Sequence, residues 1–130
     1  FYVNQVGKIN NLICENFSHD SVGSVYFSSL IVESLGITEV VFVTSDFHEN
    51  RVKIIVNKVQ EFFKVKISVI GIKYDKKLSI NRNEDESILK FQDMFGFCNT
   101  REEFFLTLVS KHDNYNHKYS SSMYKNLETY

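Results

Sequence analysis

Glu39-Val40-Val41-Phe42-Val43-Thr44-Ser45 runs without a break into Asp46-Phe47-His48-Glu49-Asn50-Arg51, and the junction of these two stretches decides the fold. The first stretch is apolar and β-branched without alternation, as a parallel strand covered on both faces should be. The second opens a helix. Ser45 and Asp46 are good cap residues, and Val52, Ile55, Val56, Val59, Phe62 and Phe63 recur on one stripe as far as about Phe63. Lys66 to Ile72 then supplies another strand, with Gly71 near its end and the polar Lys73-Tyr74-Asp75-Lys76-Lys77 after it. A helical crossover of this length joins parallel strands.

Working upstream, Asp20 to Leu35 reads as a helix capped by Asp20, with Val22, Val25, Tyr26, Leu30, Val32 and Leu35 at helical spacing and Gly36 as its terminator. Ahead of it, Asn11-Leu12-Ile13-Cys14 is a short apolar run after Gly7, read as a first strand ending near Glu15. Three strands and two helices in alternation make a βαβαβ unit, so the expected class is α/β with a largely parallel, right-handed sheet. Downstream, Asp85 to Phe95 and Arg101 to Lys111 read as two helices separated by Gly96 and Asn99. From His112 the sequence HDNYNHKYSSSMYKNLETY is polar with scattered Tyr, a tail, lid or partner-binding arm. The expected division is a domain over residues 1–111 and a polar tail over 112–130.

Composition narrows the function classes. The 130 residues carry 15 basic and 16 acidic side chains, a formal charge of -1, with 43% hydrophobic and 24% charged residues. That is a globular composition, and without a basic block it argues against a nucleic-acid reader. The longest purely apolar run, Val40 to Val43, falls far short of the roughly 20 residues that span a bilayer. Ala and Pro are absent, a skew that looks like AT-rich codon usage, so missing prolines carry no structural message. Cys14 and Cys98 lack metal-site or disulfide spacing, which points to a reducing compartment and a cytoplasmic location. The chain opens on Phe1 without a secretory pattern and is expected to be a fragment or a processed product.

Ligands of open parallel sheets bind outside the carboxyl ends of the strands. Three segments leave such ends: Glu15 to Ser21, Thr44 to Arg51, and Gly71 to Tyr74. His48 and Arg51, three apart in a first helical turn, form a cationic corner suited to a phosphate or carboxylate. The competing reading is that Ser45 and Asp46 only cap, Arg51 pairs with a surface carboxylate and His48 covers the strand end. Glu15, Asp20, Ser18 and Ser21 are likewise either caps or ligand contacts, with a carboxylate available as a base to His48. His19 is expected to face solvent, and His112 and His117, too loosely spaced for a helical pair, are assigned no metal. Phe62, Phe63, Phe91, Phe95, Phe97, Phe104 and Phe105 read as core rather than as a stacking platform.

The two loops together resemble the YdcF/SanA/ElyC family. Glu15-Asn16-Phe17-Ser18-His19-Asp20-Ser21-Val22-Gly23-Ser24 is similar to its E-x-x-S-x-D/N-T-x-x-N motif, and Val43-Thr44-Ser45-Asp46-Phe47-His48-Glu49-Asn50-Arg51 to its V-T-S-x-F/Y-H-x-x-R-A motif. The likeness covers about Lys8 to Gly71. It implies a Rossmann-like three-layer sandwich with a crevice lined by Glu15, Ser18, Asp20, Ser21, Thr44, Ser45, His48 and Arg51. Ser21 stands where the family has Thr, Ser24 where it has Asn and Val52 where a small residue is common. The family's earlier strand and glycine loop are not visible, so either this is the carboxyl-terminal part of a longer domain or the crevice lacks one wall. The resemblance brings no shared reaction. It associates members with bacterial envelope functions and, in one case, with S-adenosylmethionine.

The leading expectation is therefore a small anionic or nucleotide-like ligand at this crevice, with S-adenosylmethionine or a nucleotide as cofactor by resemblance only. Arg51 and the helix start at Ser45 would hold the negative group. His48 would act as donor or general acid, and Glu15 or Asp20 would orient it, with phosphoester or related transfer as the reaction class. The alternative is a noncatalytic interaction module whose tail, carrying Tyr115, Tyr119, Met123, Tyr124 and Tyr130, docks on a partner or on a second copy. A methyltransferase is disfavoured because no glycine-rich loop follows a first strand.

Overall fold

The computed structural model describes residues 12–73, 83–112 and Tyr115. Among them, helix α1 (Ser21–Ser34) is followed by strand β1 (Glu39–Ser45), a 3-10 turn (Asp46–His48), helix α2 (Glu49–Val59), a second 3-10 turn (Gln60–Phe62) and strand β2 (Lys66–Ile72). Helices α3 (Glu84–Phe95) and α4 (Arg101–Lys111) complete the order. The class is mixed α/β, with four helices around a two-stranded parallel sheet among the described residues.

Each boundary has a local cause. Asp20 caps α1 by accepting the Gly23 N–H at 2.9 Å. The same helix ends on Gly36 at φ 73°, where the Gly36 and Ile37 amides donate back to the Glu33 and Val32 carbonyls at 3.0 Å each. Strands β1 and β2 pair in register from Glu39 opposite Lys66 to Ser45 opposite Ile72, and the α2 crossover makes this parallel arrangement reachable. Asn83 and Thr100 cap α3 and α4 by accepting from the Glu86 and Glu103 amides.

Val52, Ile55, Val56 and Val59 of α2 pack on Val22, Val25, Tyr26 and Phe27 of α1 and on the inward face of the sheet at Val40, Phe42, Ile67 and Val69. An aromatic cluster closes the far side. Phe104 sits 4.6 Å from Phe95, 5.4 Å from Tyr26 and 5.7 Å from Phe62, centroid to centroid. Arg101 covers its rim, lying 4.2 Å over the Phe63 ring and donating to Glu33 at 2.7 Å and to the Phe62 carbonyl at 2.8 Å. Of the seven phenylalanines expected in the core, Phe63, Phe91, Phe95 and Phe104 are buried, Phe62 and Phe105 are partly buried, and Phe97 is exposed.

Three expectations need correction. Leu12, Ile13 and Cys14 form no strand and are exposed, so the described sheet is a βαβ unit rather than βαβαβ. A run this short offers few ladder bonds against the entropy of ordering it. Leu12 and Ile13 instead border an apolar trough beside Ile31 and Val32 of α1 and Leu35 just after it. Among the described residues the sheet is covered on one face only: Val41, Val43, Ile70 and Ile72 point away from the core, each more than half exposed. Finally, neither Ser45 nor Asp46 caps α2, because the intervening 3-10 turn moves the helix start to Glu49, and Ser45 makes no side-chain cap hydrogen bond. The polar run at 74–77, and His117, Tyr119, Met123, Tyr124 and Tyr130, lie outside the described residues.

Candidate functional site

The first loop is organised by its own carboxylates. Glu15 Oε1 accepts the Phe17 and Ser18 amides, the latter at 2.9 Å, which turns the chain toward α1. Five residues on, Asp20 starts the helix. Between this turn and the carboxyl end of β1 lies a depression of about 450 Å³ lined by Ser18, His19, Asp20, Ser21, Ser24, Phe42, Thr44 and Val52. Ser24 Oγ donates to Ser18 Oγ at 3.2 Å across its floor.

At the end of β1, His48 and Arg51 meet, and Arg51 is paired with a carboxylate, as the competing reading has it. Arg51 lies on the buried stripe of α2, only 6% exposed. Its Nε donates to Glu84 Oε2 at 2.8 Å, and its Nη2 lies 2.9 Å from His48 Nδ1. The same His48 nitrogen is 3.0 Å from Glu84 Oε1. Nδ1 thus sits between an obligatory donor and an obligatory acceptor. Glu84 is the first residue of α3, so the corner ties the β1–α2 turn to the helices that follow the sheet. Glu49 makes a second tie, its Oε1 accepting the Gly71 N–H of β2 at 3.0 Å.

A second cluster adjoins the depression. Tyr115, fully buried, donates its hydroxyl to Asp20 Oδ1 at 3.0 Å and accepts the His19 N–H at 2.7 Å. His112 Nε2 lies 2.7 Å from Asp20 Oδ2. Burial pushes the Asp20 carboxyl up, but the His112 hydrogen bond, the Gly23 N–H, the charge of His112 and the Tyr115 hydroxyl together outweigh it and hold the group below its ordinary range. Burial, reinforced by the Asp20 charge, raises the Tyr115 phenol, so it stays protonated and donating.

Of the residues singled out from sequence, Ser18, Asp20, Ser21 and Thr44 therefore meet in one depression, and His48 and Arg51 meet in one corner. Ser24, noted only as a departure from the family motif, joins the first group. Glu15 does not line the depression; it borders the apolar trough along α1 and holds the loop turn. Ser45, extended and ahead of the 3-10 turn, offers no α-helical amide terminus to an anion. His19 is exposed, as expected. Sequence spacing does not identify Glu84, His112 or Tyr115 as partners of the site. The only local signal for Glu84 was its place in an acidic first turn with Asp85 and Glu86, which equally fits the helix dipole. His112 and Tyr115 carry no local signal, because their contacts close over 90 residues of chain.

The set brings together hydroxyls, the Asp20 carboxylate held by Gly23, Tyr115 and His112, and an arginine–imidazole pair held by Glu84. Among the described residues no group of three or more His, Cys, Asp and Glu side chains could hold a metal ion, and no helix is long and apolar enough to cross a membrane. Comparison with known proteins returns no family model, no curated protein and no solved structure that matches the chain significantly.

Proposed function

We propose that the chain is a Rossmann-like domain of the YdcF type that binds a small anionic or nucleotide-like ligand where the β1–α2 turn faces the start of α1. The observation that carries this reading is the convergence of His48 and Arg51 on one carboxylate at the carboxyl end of β1, the strand whose Thr44 also lines a hydroxyl-rich depression. Arg51 is the anion contact and His48 a donor or general acid at the same group, while Ser18, Ser21, Ser24 and Thr44 serve the ligand's neutral polar part. Phosphoester or related transfer is the reaction class this set suits. In a three-layer sandwich the second helical layer would lie over Val41, Val43, Ile70 and Ile72.

Isothermal titration with AMP, glucose 6-phosphate and S-adenosylmethionine tests the reading. Loss of a charge-assisted contact of about 1.5–3 kcal/mol should weaken binding roughly tenfold or more in Arg51→Ala. Equal binding by both proteins would remove the anion role.

The exposed Val41, Val43, Ile70 and Ile72 of the sheet favour a second reading, a noncatalytic module that pairs with a second copy of itself through this face. Tyr115 does not serve that role, being buried against Asp20. Light scattering separates the two: a dimer that Val41→Lys dissociates, with no binding of the three ligands, supports the module.

A further inference from the structure

The two edges of the sheet are unequal. The β1–β2 register and the bond from the Lys66 N–H to the Thr38 carbonyl at 2.8 Å fix which backbone groups face inward. Lys66, Ser68, Ile70 and Ile72 of β2 turn theirs toward β1, and Val40, Phe42 and Thr44 of β1 turn theirs toward β2. On the outer side of β2, the Ile67 and Gly71 amides are taken by Gln60 Oε1 at 2.8 Å and Glu49 Oε1 at 3.0 Å. On the outer side of β1, the N–H and C=O groups of Val41 and Val43 meet no hydrogen-bond partner among the described residues. Such an edge is a template for another strand unless a proline, a lysine or a bulge blunts it, and Val40 to Ser45 contain none of these. We propose that the outer edge of β1 is a homodimer interface, at which two copies of the chain pair antiparallel about a two-fold axis at Phe42 into one four-stranded sheet.

A second copy is the occupant because the strand is complementary to itself. A two-fold axis normal to the sheet reverses the partner strand, so all seven residues of β1 find an opposite number. Val41 stands opposite Val43 of the second copy, and the two exchange both backbone bonds. Phe42 meets Phe42, and Val40 meets Thr44. Glu39, the one charged residue of the strand, meets Ser45, so no like charges are opposed. The helix side of the edge has room: a groove of about 390 Å³ between Ser28, Ser29 and Val32 of α1 and Val40 to Val43 of β1 takes side chains of the incoming strand. Edge pairing is distinct from pairing through the open face. It uses backbone groups of β1 and leaves the exposed Ile70 and Ile72 of β2 out of the contact.

The test is sedimentation equilibrium of the full chain up to millimolar concentration, with hydrogen exchange read at the Val41 and Val43 amides. Wild type should dimerise, and exchange of both amides should slow as concentration rises. Val41→Pro removes an outward N–H without touching a bond to β2. It should weaken the dimer about tenfold or more, as should Val43→Pro. Ile70→Lys places a charge on the open face, one strand away from the edge, and should dimerise like wild type. A chain that stays monomeric overturns the proposal. So does a dimer that Ile70→Lys dissociates and the prolines do not, which would belong to the open face. Protection of the two amides that is independent of concentration means that the edge is covered within one chain, and overturns it too. Melting curves show whether the proline variants fold; if neither does, the concentration dependence of exchange in wild type decides the case.

Discussion

The hydroxyl of Tyr115 donates to Asp20 Oδ1 at 3.0 Å, joining the residue that caps the first helix to one 95 positions later. The same hydroxyl sits where a side chain on Gly23 would go: a Cβ there would lie 1.9 Å from it. Gly23→Ala should therefore destabilise the fold by about 1–3 kcal/mol through overpacking, and Tyr115→Phe by about 1–2 kcal/mol through the lost hydrogen bonds. Because the phenylalanine lacks the clashing oxygen, urea denaturation of the double variant should show less than the sum of the two. Strict additivity would place the hydroxyl elsewhere.

Acid should find Asp20. Its folded pKa is lowered, so its contribution to stability is fully present above the ordinary carboxylate value and is lost as pH falls through the lower, folded value. The difference in unfolding free energy between wild type and Asp20→Asn should accordingly be largest near neutrality and shrink below about pH 4. A gap that widens on acidification would contradict the assignment.

The Arg51–Glu84 pair makes an asymmetric prediction. Glu84→Leu alone takes one carboxylate away from a buried guanidinium and should cost about 1–3 kcal/mol. Combined with Arg51→Met, which removes the guanidinium as well, the same substitution should cost less than the two singles summed. Chemical denaturation of the three variants gives the coupling directly.

Within α4, neighbouring positions should behave oppositely. Phe104 is fully buried among three rings, whereas Leu106 is 53% exposed. Phe104→Leu should lower stability by about 1–2 kcal/mol, and Leu106→Ala should stay within about 0.5 kcal/mol. Thermal melts resolve a contrast of that size.

Sequence periodicity was a reliable guide where one element's own pattern decides its state. The β1 and β2 ranges, the Asp20 cap, the Gly36 terminator and the buried stripe of α2 were all legible, since each rests on residues within a turn or two of one another. Leu12 to Cys14 misled because an apolar run signals burial, and the choice between strand and apolar coil depends on a partner the run cannot name. Burial on both faces of β1 was inferred from Val41 and Val43 by the same step, and that step fails when the covering layer is not among the described residues. At the site, His48 and Arg51 could be paired by helical spacing, but their acidic partner lies 33 positions beyond Arg51. No rule of spacing reaches across that separation. His112 and Tyr115 fell outside the reading for the same reason, with the further handicap that they sit in a segment whose composition resembles an unstructured tail.

The span between Asp20 and Tyr115 also sets an order of events. Closing a long loop is entropically dearer than closing a short one, and contacts of high sequence separation are made late. The α1 cap at Gly23 and the turn at Gly36 need only local chain, the β1–β2 ladder must wait for the α2 crossover, and the phenol reaches its acceptor only once both helical ends are in place. In refolding followed by stopped flow, quenching or exchange at the Tyr115 end should therefore lag the formation of the ladder, making the last bond formed a report on whether the whole molecule has assembled.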